Sequence, residues 1–191
     1  GNRVARVLMA RGVLLIVLQF LVVNSVLSLS DVPGGWPRWE WRFGILYGLG
    51  ATMFIGALLL ECQSVWLVVL SVSALLSTEL LLPAPEQAGV SFPLVLRLLL
   101  IAGRTGAIRV SYPTLPWLGV VGFGMVFGRW LLRDRPAAYR WAFRIGLGLL
   151  LCFIVMRSIG GAGNIRPPEG SGWMAFLNLT KYPPSLTFLL L

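Results

Sequence analysis

Tyr112-Pro113-Thr114-Leu115-Pro116-Trp117-Leu118-Gly119-Val120-Val121-Gly122-Phe123-Gly124-Met125-Val126-Phe127-Gly128-Arg129-Trp130 is an apolar run entered through a tyrosine and two prolines and closed by a cation. As a helix rising about 1.5 Å per residue, it comes close to the roughly 30 Å of a bilayer's hydrocarbon core. Proline fixes φ and has no N–H, so it is tolerated in the first helical turn, where the donor would lack a partner anyway. Lys181-Tyr182-Pro183-Pro184-Ser185 repeats the construction at the start of a later apolar run. A rigid, polar entry of this kind serves either as a site or as a helix stop.

The whole chain is 57% hydrophobic and 12% charged, too apolar for a water-soluble fold of 191 residues, so the solvent is lipid. Five runs are long enough to cross: Gly12 to Leu29, Phe43 to Leu60, Ser64 to Leu82, Tyr112 to Trp130 and Trp141 to Ser158. Phe92 to Gly103 is too short and is interrupted by Arg97, which places it in the interface. The run after Pro184 stops at Leu191 and the chain opens on Gly1, so it reads as an excised piece with a truncated sixth helix from 184. The expected fold is all-α, a polytopic helical membrane protein forming one transmembrane domain over 1–191.

The formal charge of +9 would suggest nucleic acid in a soluble protein, but loop arginines in a membrane protein first report topology, and no nucleic-acid partner is expected. Arg129, Arg133, Arg135, Arg140 and Arg144 crowd the short connection between the fourth and fifth spans. That density places the N-terminus on the cytoplasmic side. Two spans lie between the Tyr-Pro phrases, so in any orientation Tyr112 and Lys181 emerge on one face. Trp36-Pro37-Arg38-Trp39-Glu40-Trp41-Arg42 joins them there, giving a basic and aromatic vestibule.

Structural explanations cover much of the rest. The eight tryptophans, Trp36, Trp39, Trp41, Trp66, Trp117, Trp130, Trp141 and Trp173, fall near span ends as an aromatic belt. Gly44/Gly48 and Gly124/Gly128 have small-residue spacing suited to close helix packing. Glu79 is either an intramembrane functional acid or an interface residue beside Pro83. Cys62 and Cys152 have no partner spacing and support neither a disulfide framework nor a metal site. With no histidine, the chain has no Ser-His or Cys-His pair and no histidine metal site, and it carries no Walker-type loop and no internal repeat.

Phe176-Leu177-Asn178-Leu179-Thr180-Lys181-Tyr182-Pro183-Pro184-Ser185-Leu186 resembles a phrase of the heparan-alpha-glucosaminide N-acetyltransferase catalytic-domain family. The Tyr112 to Gly119 entry, with Gly122 to Gly128 following, resembles that family's central helix, and Arg42 to Gly50 an earlier one. Arg3 to Asn24 is similar to the basic turn and apolar helix that follow its N-terminal helices. The resemblance implies a multi-pass acyltransferase moving an acetyl or acyl group from acetyl-CoA or another acyl-CoA to an amine or hydroxyl of a sugar. It also implies that the catalytic histidine lies upstream of residue 1. No bound cofactor or metal is expected; the partners would be the lipid bilayer and an envelope sugar or glycolipid acceptor, with a homo-oligomer allowed.

The residues left for binding are Arg104 and Arg109 toward the donor's phosphates, as planar charge-assisted donors, with Arg133 and Arg135 the alternatives from the cytoplasmic side. Tyr112 and Trp117 belong to the same vestibule, and Lys181 and Tyr182 are placed to orient a sugar hydroxyl or simply to cap the last helix. A transporter or flippase for an envelope lipid or sugar, with Glu79 as its intramembrane acid, and a non-catalytic scaffold are the competing readings.

Overall fold

The computed structural model describes residues 2–30, 40–81, 92–161, 163–164, 170, 172–181 and 184–191. Trp36, Pro37, Arg38, Trp39, Arg166, Tyr182 and Pro183 lie outside the described residues. The first helix is continuous from α1 (Asn2–Leu18) through a π turn (Gln19–Val23) into α2 (Asn24–Ser30). Strand β1 (Trp41–Phe43) leads into α3 (Ile45–Leu58), followed by α4 (Ser64–Leu81) and the short α5 (Leu94–Leu99). A hairpin of β2 (Gly103–Thr105) and β3 (Ile108–Val110) precedes α6 (Thr114–Arg133) and α7 (Arg135–Ile159). The short α8 (Trp173–Leu177) and α9 (Leu186–Leu190) follow.

Among the described residues, four helical stretches are long and apolar enough to cross a membrane: Arg3–Leu29, Ser64–Leu81, Thr114–Arg133 and Arg135–Ile159. They coincide with four of the five expected spans. The remaining one, α3, has 14 residues, or about 21 Å of helix, less than the hydrocarbon core. It is short for identifiable reasons. Phe43 is drawn into β1, and Gly44 enters the helix from an extended conformation. At the other end the helix stops at Leu58, and Arg129 of α6 donates to the Leu60 carbonyl at 2.8 Å and to Ser64 Oγ at 3.1 Å. A guanidinium at freed C-terminal carbonyls is the charge the helix dipole favours there.

The helices pack as a row, α1 on α3, α3 on α6 and α6 on α4. Glycines make these approaches possible. A Cβ on Gly12 would lie 2.6 Å from the Gly50 carbonyl oxygen, and one on Gly50 would lie 2.5 Å from that of Gly12. On α6, Gly119 faces Leu75 and Ser71 and Gly122 faces Ser71 of α4, so these two helices run antiparallel. Gly48 meets Tyr112, and Gly56 meets Val121. The small-residue spacing Gly124/Gly128, expected to pack, instead faces open space. The i, i+4 spacing identifies one helix face without saying that it looks inward; the inward face of α6 is marked by Gly119, Gly122 and Val126.

The antiparallel register carries the topology. Leu75 packs at Gly119, so Glu79, one turn on, lies level with the N-terminus of α6. Glu79 Oε1 accepts from the Gly163 N–H at 2.5 Å, which brings the segment after α7 to that same end. Tyr112 and the Lys181 segment therefore share one end of the bundle, and the α6–α7 corner with its arginines lies at the other. Exposed Trp41, Trp66, Trp130, Trp141 and Trp173 sit at or near helix ends, as a belt requires.

The expectation of a wholly helical chain is amended by a three-stranded sheet in the order β1-β3-β2, with β1 parallel and β2 antiparallel to β3. Gly106 and Ala107 make the hairpin turn, with Gly106 at φ 59° in the left-handed region, as a two-residue turn with glycine first demands.

Candidate functional site: an arginine row on a small sheet

Register aligns the charges. Arg42 pairs with Arg109 across β1 and β3, and Arg109 pairs with Arg104 across β3 and β2, which puts three arginines in one row. Like charges directly opposite one another on a sheet repel. Glu40, one residue before β1 and 6% exposed, supplies the counter-charge. Its carboxylate lies 3.0 Å from Arg42 Nε, 3.1 Å from Arg104 Nε and 3.2 Å from Arg109 Nε. Three guanidinium groups on one carboxylate leave an excess of positive charge. The side chains of Arg104 and Arg109 are 59% and 48% exposed, and no hydrogen bond from their terminal nitrogens occurs among the described residues.

The first helix holds the outer edge of this sheet. In an α-helix, residues five apart point in different directions; the wider π turn from Gln19 brings Gln19 and Asn24 to one side. Both are buried. In the orientation that satisfies its amide, Asn24 donates to the Arg42 carbonyl at 3.0 Å and accepts from the Arg42 N–H at 3.0 Å. The amide thus substitutes for a neighbouring strand, and Gln19 Nε2 adds a bond to the Arg42 carbonyl at 3.0 Å. Phe20 packs edge-on against Trp41 and Phe43, and Phe43 against Tyr47, which fixes β1 from its apolar side. Gly103, at φ 146°, lies against the Arg97 guanidinium, so a side chain there would be both strained and obstructed.

The result is an open cavity of about 750 Å³ lined by Gln19, Arg42, Arg104, Arg109, Ser111 and Tyr112 among others. Gln19 Oε1 is a buried acceptor without a partner among the described residues. Of the residues singled out by sequence, Arg104, Arg109 and Tyr112 come together here. Trp117 stacks near Tyr112, with ring centroids 5.7 Å apart, and its buried Nε1 has no hydrogen-bond partner among the described residues. Lys181 is exposed before α9 and does not line the cavity; Tyr182 is outside the described residues. Arg133 and Arg135 lie at the opposite end. Sequence reasoning placed Glu40 in the vestibule segment without giving it a role, and passed over Gln19 and Asn24. Their only signal was polarity within or beside apolar runs.

The catalytic-domain model of heparan-alpha-glucosaminide N-acetyltransferase matches residues 9–159, which takes in the π turn, Glu40, the arginine row and α6. The chain belongs to this family. No match was found among curated proteins or among solved structures. Membership makes the chain part of a membrane protein with an acetyltransferase domain, and it accords with the helix-entry phrases at Arg42 and Tyr112.

Glu79 and Arg157 form a second polar group at the same end. Arg157, 2% exposed, donates from Nε to the Phe176 carbonyl at 2.8 Å and from its terminal nitrogens to Asn164 Oδ1 and the carbonyls of Ala175 and Asn178 at 2.8–3.0 Å. Gly163, bonded by Glu79, accepts through its carbonyl from Thr187 Oγ1 at 2.9 Å. These bonds fasten α4, α7, α8 and α9 together. Among the described residues, no group of His, Cys, Asp and Glu is arranged to hold a metal.

Proposed function

We propose that the chain forms a membrane acyltransferase domain that moves an acetyl or acyl group from an acyl-CoA to a sugar amine or hydroxyl of the cell envelope. In this reading it is a single transmembrane domain, with α3 serving as a fifth, short span within the bundle and the residues from 184 beginning a sixth. The N-terminus is cytoplasmic and the membrane is the inner one. The observation that carries the reading is the excess positive charge of the Arg42, Arg109 and Arg104 row around Glu40, facing a cavity within the matched family domain.

Guanidinium groups held in a row by a buried carboxylate are preorganised for an anionic group, and their planar donors suit phosphate or carboxylate. The aromatic face of Tyr112 suits a sugar ring at the same cavity. Arg104 and Arg109 bind and orient the anionic part of a substrate; Lys181 and Tyr182 guide the acceptor toward the cavity. None of these residues is assigned the acid–base step, which the family resemblance gives to a histidine, a residue type the 191 residues do not contain. Glu79, the acid a transporter or flippase would use, is already bonded to Gly163.

Membranes carrying the protein are expected to transfer label from radiolabelled acetyl-CoA to a membrane sugar. Arg109→Ala should lower kcat/KM at least about tenfold, the order expected for losing one charge-assisted contact, with unaltered detergent-extracted yield. Wild-type transfer in a folded Arg109→Ala protein would reject the cavity as the substrate site.

A further inference from the structure

At the opposite end, α6 and α7 meet at Asp134 and flank another open cavity of about 550 Å³, lined by Trp130, Arg133, Ala137, Trp141 and Ile145 with Asp134 at the corner. Its wall is mostly hydrocarbon and indole, and its charged lining residues are Arg133 and Asp134. Asp134 acts as the N-cap of α7, accepting from the Ala137 N–H at 3.0 Å. Arg144 lies over the Trp141 ring, 5.3 Å from its centroid, so a second cation borders the lining. Arg133, Arg135, Arg140 and Arg144 are all exposed, and no ion pair involving them occurs among the described residues.

The exposed rings of Trp130 and Trp141 place the cavity at headgroup depth, where tryptophan partitions. From there Ile145 and the exposed Leu149 continue down α7 into the hydrocarbon. Cationic rim, indole walls and an apolar track are complementary to one molecule, with phosphate at the top and an acyl chain below. We propose that this corner is a specific site for an anionic glycerophospholipid, its phosphate between Arg133 and Arg144 and one acyl chain along Trp130, Trp141 and Ile145. The proposal is independent of the acyl-transfer cavity at the other end.

The test is native mass spectrometry of the full chain released from nanodiscs of phosphatidylcholine containing one-fifth phosphatidylglycerol, paired with thermal unfolding in each lipid. Wild-type protein should retain one phosphatidylglycerol in preference to phosphatidylcholine. Arg133→Gln and Arg144→Gln should each lower that preference by about fivefold, the worth of one arginine at an anionic surface. Arg3→Gln, a basic residue away from the cavity, should leave it unchanged. Occupancy is read on the folded ion, so a variant of lower stability still reports. Equal retention of the two lipids, an equal effect of Arg3→Gln, saturation of the corner by acetyl-CoA instead, or a lipid-independent dimer that buries α7 would each overturn the proposal.

Discussion

Arg157→Leu should be among the most damaging single substitutions in the chain, costing at least about 3 kcal/mol and lowering the thermal midpoint by about 10 °C. The guanidinium is buried and bonds at least three main-chain carbonyls and one side-chain amide. Leucine fills part of the volume and leaves those carbonyls inside the protein without donors. Lysine keeps the charge, but its compact ammonium cannot reach a fan of acceptors laid out for a planar fork, so Arg157→Lys should recover less than half of the loss. Thermal unfolding in detergent checks the magnitude. Faster trypsin cleavage at Lys181 at temperatures where the helices persist would show that the α8 and α9 segment detaches first. An unchanged midpoint in Arg157→Leu would remove the buried arginine from the account of stability.

The second large effect belongs to the α1–α3 crossing. Gly12→Ala should cost about 2–3 kcal/mol and Gly12→Leu should prevent folding, because the added carbon meets a main-chain oxygen at 2.6 Å that cannot rotate away. Separating the helices would also loosen the π turn, and with it the Gln19 and Asn24 bonds that hold Arg42. Gly146→Ala and Gly148→Ala are the matched controls: both positions lie on α7 and have nothing within 4 Å. They should be neutral or stabilising by up to about 1 kcal/mol, the helix-propensity difference. Equal costs at Gly12 and Gly146 would contradict the close crossing.

The two glycine classes show what the sequence could and could not say. Long apolar runs fixed where helices lie, since lipid obliges each crossing segment to satisfy its own backbone. They gave the ends of α4 within a residue and those of α6 within three. Which face of a helix looks inward was not legible, so Gly124 and Gly128 were assigned the packing that Gly119 and Gly122 perform. The sheet escaped because strands of three residues are too short to show alternation. Gly106-Ala107 between Arg104-Thr105 and Ile108-Arg109 was its only trace. Counting crossings put Arg42, Arg104, Arg109 and Tyr112 on one face, and the structure gathers them around one cavity. Glu40 was hidden among tryptophans that read as a belt, and Arg157 among arginines that read as topology. A charge that is buried rather than topogenic looks identical in one dimension.

Ser111 offers a handle on the arginine-lined cavity where transfer is organised. Ser111 lines the cavity between β3 and α6 and is half-buried, so a cysteine there, in a chain whose Cys62 and Cys152 have been replaced by serine, can be modified in the folded protein. Acetyl transfer is measured before and after complete reaction of Ser111→Cys with a bulky, membrane-impermeant maleimide. The cavity reading predicts that the unmodified variant is active, that modification abolishes transfer, and that acyl-CoA or acceptor slows the labelling. Full transfer by the fully modified protein would contradict it.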